Sequence, residues 1–128
     1  MGRRLKQSGV VPDRMIFSSA LRAAATARLI GGEVGLATES LVEDRRLYAS
    51  SITAMLYVLH ELDDSLTCVA LVGHNPEMTE LARQLAPQAR DMATCAVAQL
   101  EFDLASWSEV DSVVAARAVF DAPGKRHD

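Results

Sequence analysis

The sequence predicts an α/β fold, a three-layer sandwich in which a mostly parallel central sheet is flanked by helices. Three observations carry this. Two short apolar runs, Met15-Ile16-Phe17 and Thr67 to Val72, read as buried strands. Each stops at a small residue and is followed at once by a helical pattern. Strand-like and helix-like segments then keep alternating, and strands joined through helices pair in parallel. The chain has 128 residues, 49% of them apolar and 23% charged, which suits one folded domain over residues 1–128. No internal repeat, low-complexity tract or Gly/Ser/Pro-rich linker divides it.

Pro12-Asp13 introduce the first strand, and Ser18-Ser19 stop it and offer a helix N-cap. From Ala20 to Ile30 the alanine-rich composition favours helix. Leu21, Ala25 and Leu29 stack four apart on one face, and Gly31-Gly32 are expected to end it. Ile52, Met55, Leu56, Leu59 and Leu62 mark a second amphipathic helix, closed by Asp63-Asp64. Thr67 to Val72, bounded by Gly73, is expected to be a strand buried on both faces. Met78, Leu81, Ala82 and Leu85 repeat the helical spacing and stop near Pro87. Cys95 to Phe102 and Val113 to Phe120 read as two further strands.

Composition and motif spacing exclude several functions. Thirteen Lys and Arg face 17 Asp and Glu, a net charge of −4 with neutral histidines and a pI near 5.3. General nucleic-acid or anionic-membrane binding needs a cationic surface, so neither is expected, although one local cationic pocket is compatible with this balance. No apolar run approaches the roughly 20 residues of a membrane span. The basic stretch Met1 to Lys6 has no hydrophobic region after it, so no secretory signal is expected. Cys68 and Cys95 lie in apolar stretches without CxxC spacing and read as buried reduced thiols of a cytoplasmic protein. Neither cysteine has an arginine six positions on, as a cysteine phosphatase requires; His74 and Glu101 stand there. GxxxxGK[ST], GxGxxG and HExxH are absent, and His60, His74 and His127 are not at ligand spacing, so no metal or cofactor is expected. His60 reads as structural, His127 as part of a polar tail, and Trp107 and Tyr48 as packing residues.

Two places remain where a strand ends and a helix begins, the position at which open α/β sheets bind ligands. In Phe17-Ser18-Ser19-Ala20-Leu21-Arg22, Arg22 falls in the first helical turn beside exposed backbone N–H groups. It is either a fork for two phosphate oxygens or an ordinary solvent-facing arginine. In Leu71-Val72-Gly73-His74-Asn75-Pro76-Glu77, Gly73 allows a sharp exit, Asn75 can cap, and Pro76 suits the first helical position. His74 then stands at the mouth of the strand, either as a donor to an anion or as a histidine satisfying a nearby carbonyl.

Taken together, these segments resemble the histidine phosphatase superfamily, the phosphoglycerate-mutase-like fold, and most closely its small SixA-type phosphohistidine phosphatases. Pro12-Asp13, Ile16-Phe17-Ser18-Ser19-Ala20-Leu21-Arg22-Ala23 and Thr26-Ala27 resemble that family's "PD, strand, SSPALRA, TA" stretch. Val69 to Pro76 resembles its "VLLVGHNP". Thr94 to Phe102, Asp103, Trp107 and Phe120-Asp121-Ala122-Pro123 also look like the small-phosphatase pattern, so the likeness runs from Gly2 to about Pro123. The resemblance implies that Arg22 is a phosphate-clamping arginine and that His74 is the second histidine, which binds the phosphoryl group. It implies supporting positions for Ser19 and Asn75, and a substrate that is a phosphorylated protein or a small phosphate-bearing molecule.

The sequence departs from the family at its nucleophile. Family members begin with a strand ending in Arg-His-Gly, whose histidine becomes phosphorylated. No Arg-His-Gly occurs here, and the one Arg-His pair, Arg126-His127, is followed by Asp128. Gly2 to Gly9 resembles the family's first helix, which comes after that motif, so the first strand of the fold is expected to be missing. Two readings stay open: an N-terminally shortened form of an active phosphatase, favoured by the retained pocket, and a non-catalytic pseudophosphatase that binds phosphate or a phosphorylated protein. Glu39, Glu43 and Asp44 are loose candidates for a general acid, which an N–P bond makes dispensable.

Overall fold

Strand β1 (Arg14–Phe17) is the centre of a three-stranded parallel sheet ordered β2-β1-β3, with β2 at Leu41–Glu43 and β3 at Val69–Val72. The computed structural model describes residues 11–48, 51–86, 97–112, 114–122 and 125–126. The chain divides into two compact units, Met1–Ser50 with Ser65–His74, and Ser51–Asp64 with Asn75–Asp128. The parallel sheet belongs to the first.

Alternation along β1 sends Met15 and Phe17 to one face and Ile16 to the other, and all three are buried. Helix α1 (Leu21–Val34) covers the first face. Its Ala24 and Ala27 join Met15 and Phe17 in the core, with Ile30, Leu36, Leu41, Ala70 and Val72 packed around them. Small side chains let the helix axis sit low on the sheet. This decides which face turns inward: Ala23, Ala24, Ala27, Gly31 and Val34 are buried. Leu21 and Leu29, the ends of the four-apart stripe read from the sequence, are 89% and 72% exposed.

Gly31-Gly32 do not end α1. A Cβ on Gly31 would lie 2.9 Å from Leu41 Cδ2, so this glycine serves a close approach of helix to β2 rather than a stop. The helix runs through Val34 and is closed by Gly35, three residues past Gly32. That residue has φ 79° and ψ 25°, and its N–H bonds back to the carbonyls of Gly31 and Gly32. The serines before α1 do not cap it either. The N-cap residue is Ala20, with no side-chain cap bond, because Ser18 Oγ accepts from Ala20 N one step earlier, at 3.2 Å.

β3 corrects a second expectation. All four of its residues are half-buried, whereas β1 is buried from Met15 to Phe17. The physical reason is position: among the described residues β3 is an edge of its sheet, paired only with β1. Its entry is fixed by Asp13, whose Oδ2 accepts from Thr67 N at 2.8 Å, Thr67 Oγ1 at 2.9 Å and Cys68 N at 3.0 Å. Asp13 N in turn donates to the carbonyl of Cys68 at 2.7 Å.

In the second unit, helix α2 (Ile52–His60) is capped by Ser51, which accepts from Ala54 N, and buries Met55, Val58 and Leu59. It packs on helix α3 (Glu77–Leu85), whose buried residues are Thr79, Leu81, Ala82 and Leu85. His60 is structural, as its sequence setting suggests: Nε2 lies 2.8 Å from Asp111 Oδ1. Strands β4 (Val97–Glu101), β5 (Arg117–Ala122) and β6 (Lys125–Arg126) form an antiparallel sheet ordered β4-β5-β6. The α/β class therefore stands, with parallel pairing among the described residues confined to the first sheet. Strand β6 had no sequence signal. Pro87, Cys95 and His127 lie outside the described residues. No helix among the described residues is long and apolar enough to cross a membrane.

Gly32→Ala meets nothing within 4 Å, so urea denaturation is expected to show a gain approaching about 1 kcal/mol from helix propensity. Gly35→Ala, at φ 79°, is expected to lose about 1 kcal/mol to left-handed strain. The Asp13 carboxyl is held below its usual 3.8, chiefly by the backbone N–H of Thr67 and then that of Cys68. A depressed folded-state pKa means that the stabilisation is present above pH 4 or so and is lost as pH falls through the lowered value. Asp13→Ala is thus expected to destabilise the chain at neutral pH and to flatten the acid limb of its stability curve.

Candidate functional site

The three parallel strands end level. Phe17 lies opposite both Glu43 and Val72 in the register. The next residues stay tied: Ser18 N donates to the carbonyl of Val72 at 3.0 Å, and Asp44 N to that of Phe17 at 2.8 Å. The carboxyl edge of the sheet therefore presents Ser18, Asp44 and Gly73-His74 side by side, with the N-terminus of α1 following directly from Ser18-Ser19-Ala20.

That N-terminus is rich in donors. The first intrahelical bond of α1 runs from Ala24 N to the carbonyl of Ala20. The N–H groups of Leu21, Arg22 and Ala23 consequently have no helical acceptor, and the absence of a side-chain cap leaves them open to an anion. Arg22 stands in this turn, exposed, with no hydrogen bond or ion pair to any described residue.

His74 is half-buried two residues beyond β3. Its Nε2 lies 2.8 Å from Ser18 Oγ, and the ring of Tyr48 meets it edge-on, with centroids 5.9 Å apart at 85°. Ser18 is completely buried. The serine beside it, Ser19, is half-buried and forms no side-chain hydrogen bond with a described residue. Within the first unit the structure thus groups His74 with Ser18 and Tyr48, and sets Arg22 in the helix turn that the same serine pair leads into.

Asn75 belongs to the second unit. Its Oδ1 accepts from Thr79 Oγ1 at 2.9 Å. It does not cap α3: the helix begins one residue later than expected, and the N-cap residue is Pro76, without a side-chain cap bond. The Asn75–Pro76 peptide bond is cis.

Of the carboxylates considered as proton donors, Glu39 and Glu43 are exposed. Asp44 is occupied. Its Oδ1 accepts from Arg46 N at 2.9 Å and Arg46 Nε at 3.1 Å, and its Oδ2 accepts from an Arg46 terminal nitrogen at 2.8 Å. The hydrogen bonds from Arg46 hold its carboxyl below the usual value, so at neutral pH it is ionised and poorly suited to give up a proton. Cys68 is a free, half-buried thiol, and burial pushes its pKa up, away from nucleophilic reactivity.

Two residues of this constellation escaped the sequence reading. Ser18 and Ser19 are indistinguishable as letters, and only the strand's alternation and its turn decide which hydroxyl reaches the histidine. Tyr48 carried no signal, because its approach to His74 depends on the path of the chain after β2.

No family model and no curated protein matches the chain in sequence. Its fold does have solved counterparts. A protein assigned as phosphohistidine phosphatase SixA from Nakamurella multipartitia superposes with a TM-score of 0.67 at 14% identity, over 96% of this chain and 78% of that one. One assigned as SixA from Agrobacterium tumefaciens gives 0.59 at 21% identity, over 66% of this chain and 53% of that one. A protein histidine phosphatase SixA complexed with tungstate gives 0.72 at 20% identity, over 94% of this chain and 73% of that one. The chain shares its fold with these SixA structures.

Proposed function

We propose that this chain carries the phosphoryl-holding part of a SixA-type phosphatase site, with Arg22 and His74 as the groups that bind the phosphoryl oxygens. The observation that supports this best is the level ending of β1 and β3, which puts a helix N-terminus, an uncommitted arginine and a histidine on one sheet edge. A dianionic phosphoryl group needs several donors of this kind, and a guanidinium offers two in a fork. Ser19 is assigned a supporting place in this site, and the resemblance also gives Asn75 a supporting role.

In the reaction that the resemblance implies, an imidazole attacks phosphorus in line and the bond to the leaving group breaks. Water then releases phosphate from the phosphohistidine. Arg22 and His74 would hold equatorial oxygens throughout, so their contribution is positioning and charge stabilisation. The connection between Gly35 and Tyr48 contains only β2 and two 3-10 turns, which suits a phosphorylated protein side chain as substrate. Cleavage of an N–P bond also makes few demands on a general acid, in keeping with the ionised Asp44. The tungstate held by one of the solved counterparts is a tetrahedral oxyanion of the same kind.

A second reading, phosphate or phosphoprotein binding without turnover, is favoured by one observation: no Arg-His-Gly occurs in the 128 residues. Phosphate release from phosphoramidate and from an aryl phosphate, measured beside tungstate binding by calorimetry, separates the readings. The 128-residue chain is expected to bind tungstate without releasing phosphate. Arg22→Ala and His74→Ala should each weaken binding by roughly 10- to 100-fold, the equivalent of one charged hydrogen bond. Phosphate release abolished by His74→Ala would show that the chain turns over without the family's nucleophile. A folded chain that ignores tungstate would overturn the site itself.

A further inference from the structure

The hydrogen bonds of Ser18 assign a protonation form to His74. Ser18 is completely buried, and its Oγ has two neighbours, Ala20 N at 3.2 Å and His74 Nε2 at 2.8 Å. A backbone N–H can only donate, so Ala20 occupies one oxygen lone pair. That leaves the hydroxyl with one proton and one lone pair. Among the described residues Ser18 has no further side-chain partner.

If Nε2 carried the proton and donated to Ser18, the hydroxyl hydrogen would be left without an acceptor in a fully buried place, which proteins rarely accept. If Ser18 donates to Nε2, every group is satisfied. We infer that the buried Ser18 hydroxyl donates to Nε2 and thereby keeps neutral His74 as its Nδ1–H tautomer, with that N–H free for a bound oxyanion. Nδ1 forms no hydrogen bond with any described residue. Among the described residues its aromatic neighbour is Tyr48, whose ring stands perpendicular to it.

The consequence deepens the phosphoryl-site reading and, in that respect, rests on it. A histidine with a bare Nδ1 would repel phosphoryl oxygens unless it first took up a second proton. A histidine held as Nδ1–H is already a donor while neutral. Ser18 is therefore a positioning residue: it acts on the phosphoryl group through His74.

The test is the imidazole nitrogen spectrum of the 128-residue chain, labelled with ¹⁵N at histidine, recorded above the imidazole pKa without ligand. Long-range nitrogen–proton correlation distinguishes the protonated from the bare nitrogen. Wild type is expected to show His74 protonated at Nδ1. Ser18→Thr, which keeps the hydroxyl, should retain that form, and Ser18→Ala should lose it. A wild-type His74 protonated at Nε2 would overturn the inference without recourse to any variant. So would a folded Ser18→Ala protein with the wild-type tautomer. Tungstate is then added to the wild-type sample. A His74 signal that stays fixed on its addition, with the tautomer as expected, would count against the phosphoryl site and leave the role of Ser18 standing.

Discussion

Everything proposed for this chain depends on the pairing of β1 with β3. Parallel strands have no hairpin to set their register, so the alignment must come from their ends. At the entry, Asp13 gathers three donors from Thr67 and Cys68 and returns its own N–H to Cys68. At the exit, Ser18 N holds the carbonyl of Val72. A slip of one residue would turn Met15 and Phe17 out of the core and carry His74 away from Ser18. The proposed site is thus a by-product of the register, assembled from residues that are distant in sequence because two strands finish together.

Packing of α1 serves the same end. Its buried stripe is made of alanines, Gly31 and Val34, which bring the helix close over Met15 and Phe17. The close approach at Gly31 against Leu41 fixes where the helix lies across β2. With its far end anchored there and its near end tied through Ser18 to β3, the first turn and Arg22 have little freedom to drift from the sheet edge. Ser18 stands at the junction of these constraints. Its backbone N–H closes the strand pair, and its side chain links the helix entry to His74.

Much of this was legible in the sequence, and the parts that were not share a cause. The strands β1 and β3, the helices α1, α2 and α3 and the positions of Arg22 and His74 at strand ends follow from local periodicity and from turn residues. What local pattern cannot decide is which way an element faces and where it stops once it touches another. Leu21, Ala25 and Leu29 make a tidy stripe, yet the close fit of Ala24, Ala27 and Gly31 to the sheet decides the inner face. Gly31-Gly32 look like a stop, yet a neighbour at Leu41 explains the first of them and the left-handed turn waits until Gly35. The half-buried state of β3 is a property of its place in the sheet, invisible in an apolar run. Ser18 could not be told from Ser19, nor Tyr48 from any packing aromatic, because both acquire their role through contacts made across the fold.

The electrostatics point the same way as the geometry. Asp44, the acidic residue directly after β2, is tied up by Arg46. Arg22 is left without an ion pair among the described residues. The proposed phosphoryl site thus has, at a helix N-terminus, an arginine without an ion pair to any described residue. The most direct measurement is a crystal structure of the 128-residue chain soaked in tungstate, whose electron-dense metal marks the oxyanion without ambiguity. The expected result is density at the carboxyl edge of the parallel sheet, within hydrogen-bonding distance of the Arg22 guanidinium and His74 Nδ1. Tungstate bound elsewhere, with Arg22 and His74 untouched, would contradict it.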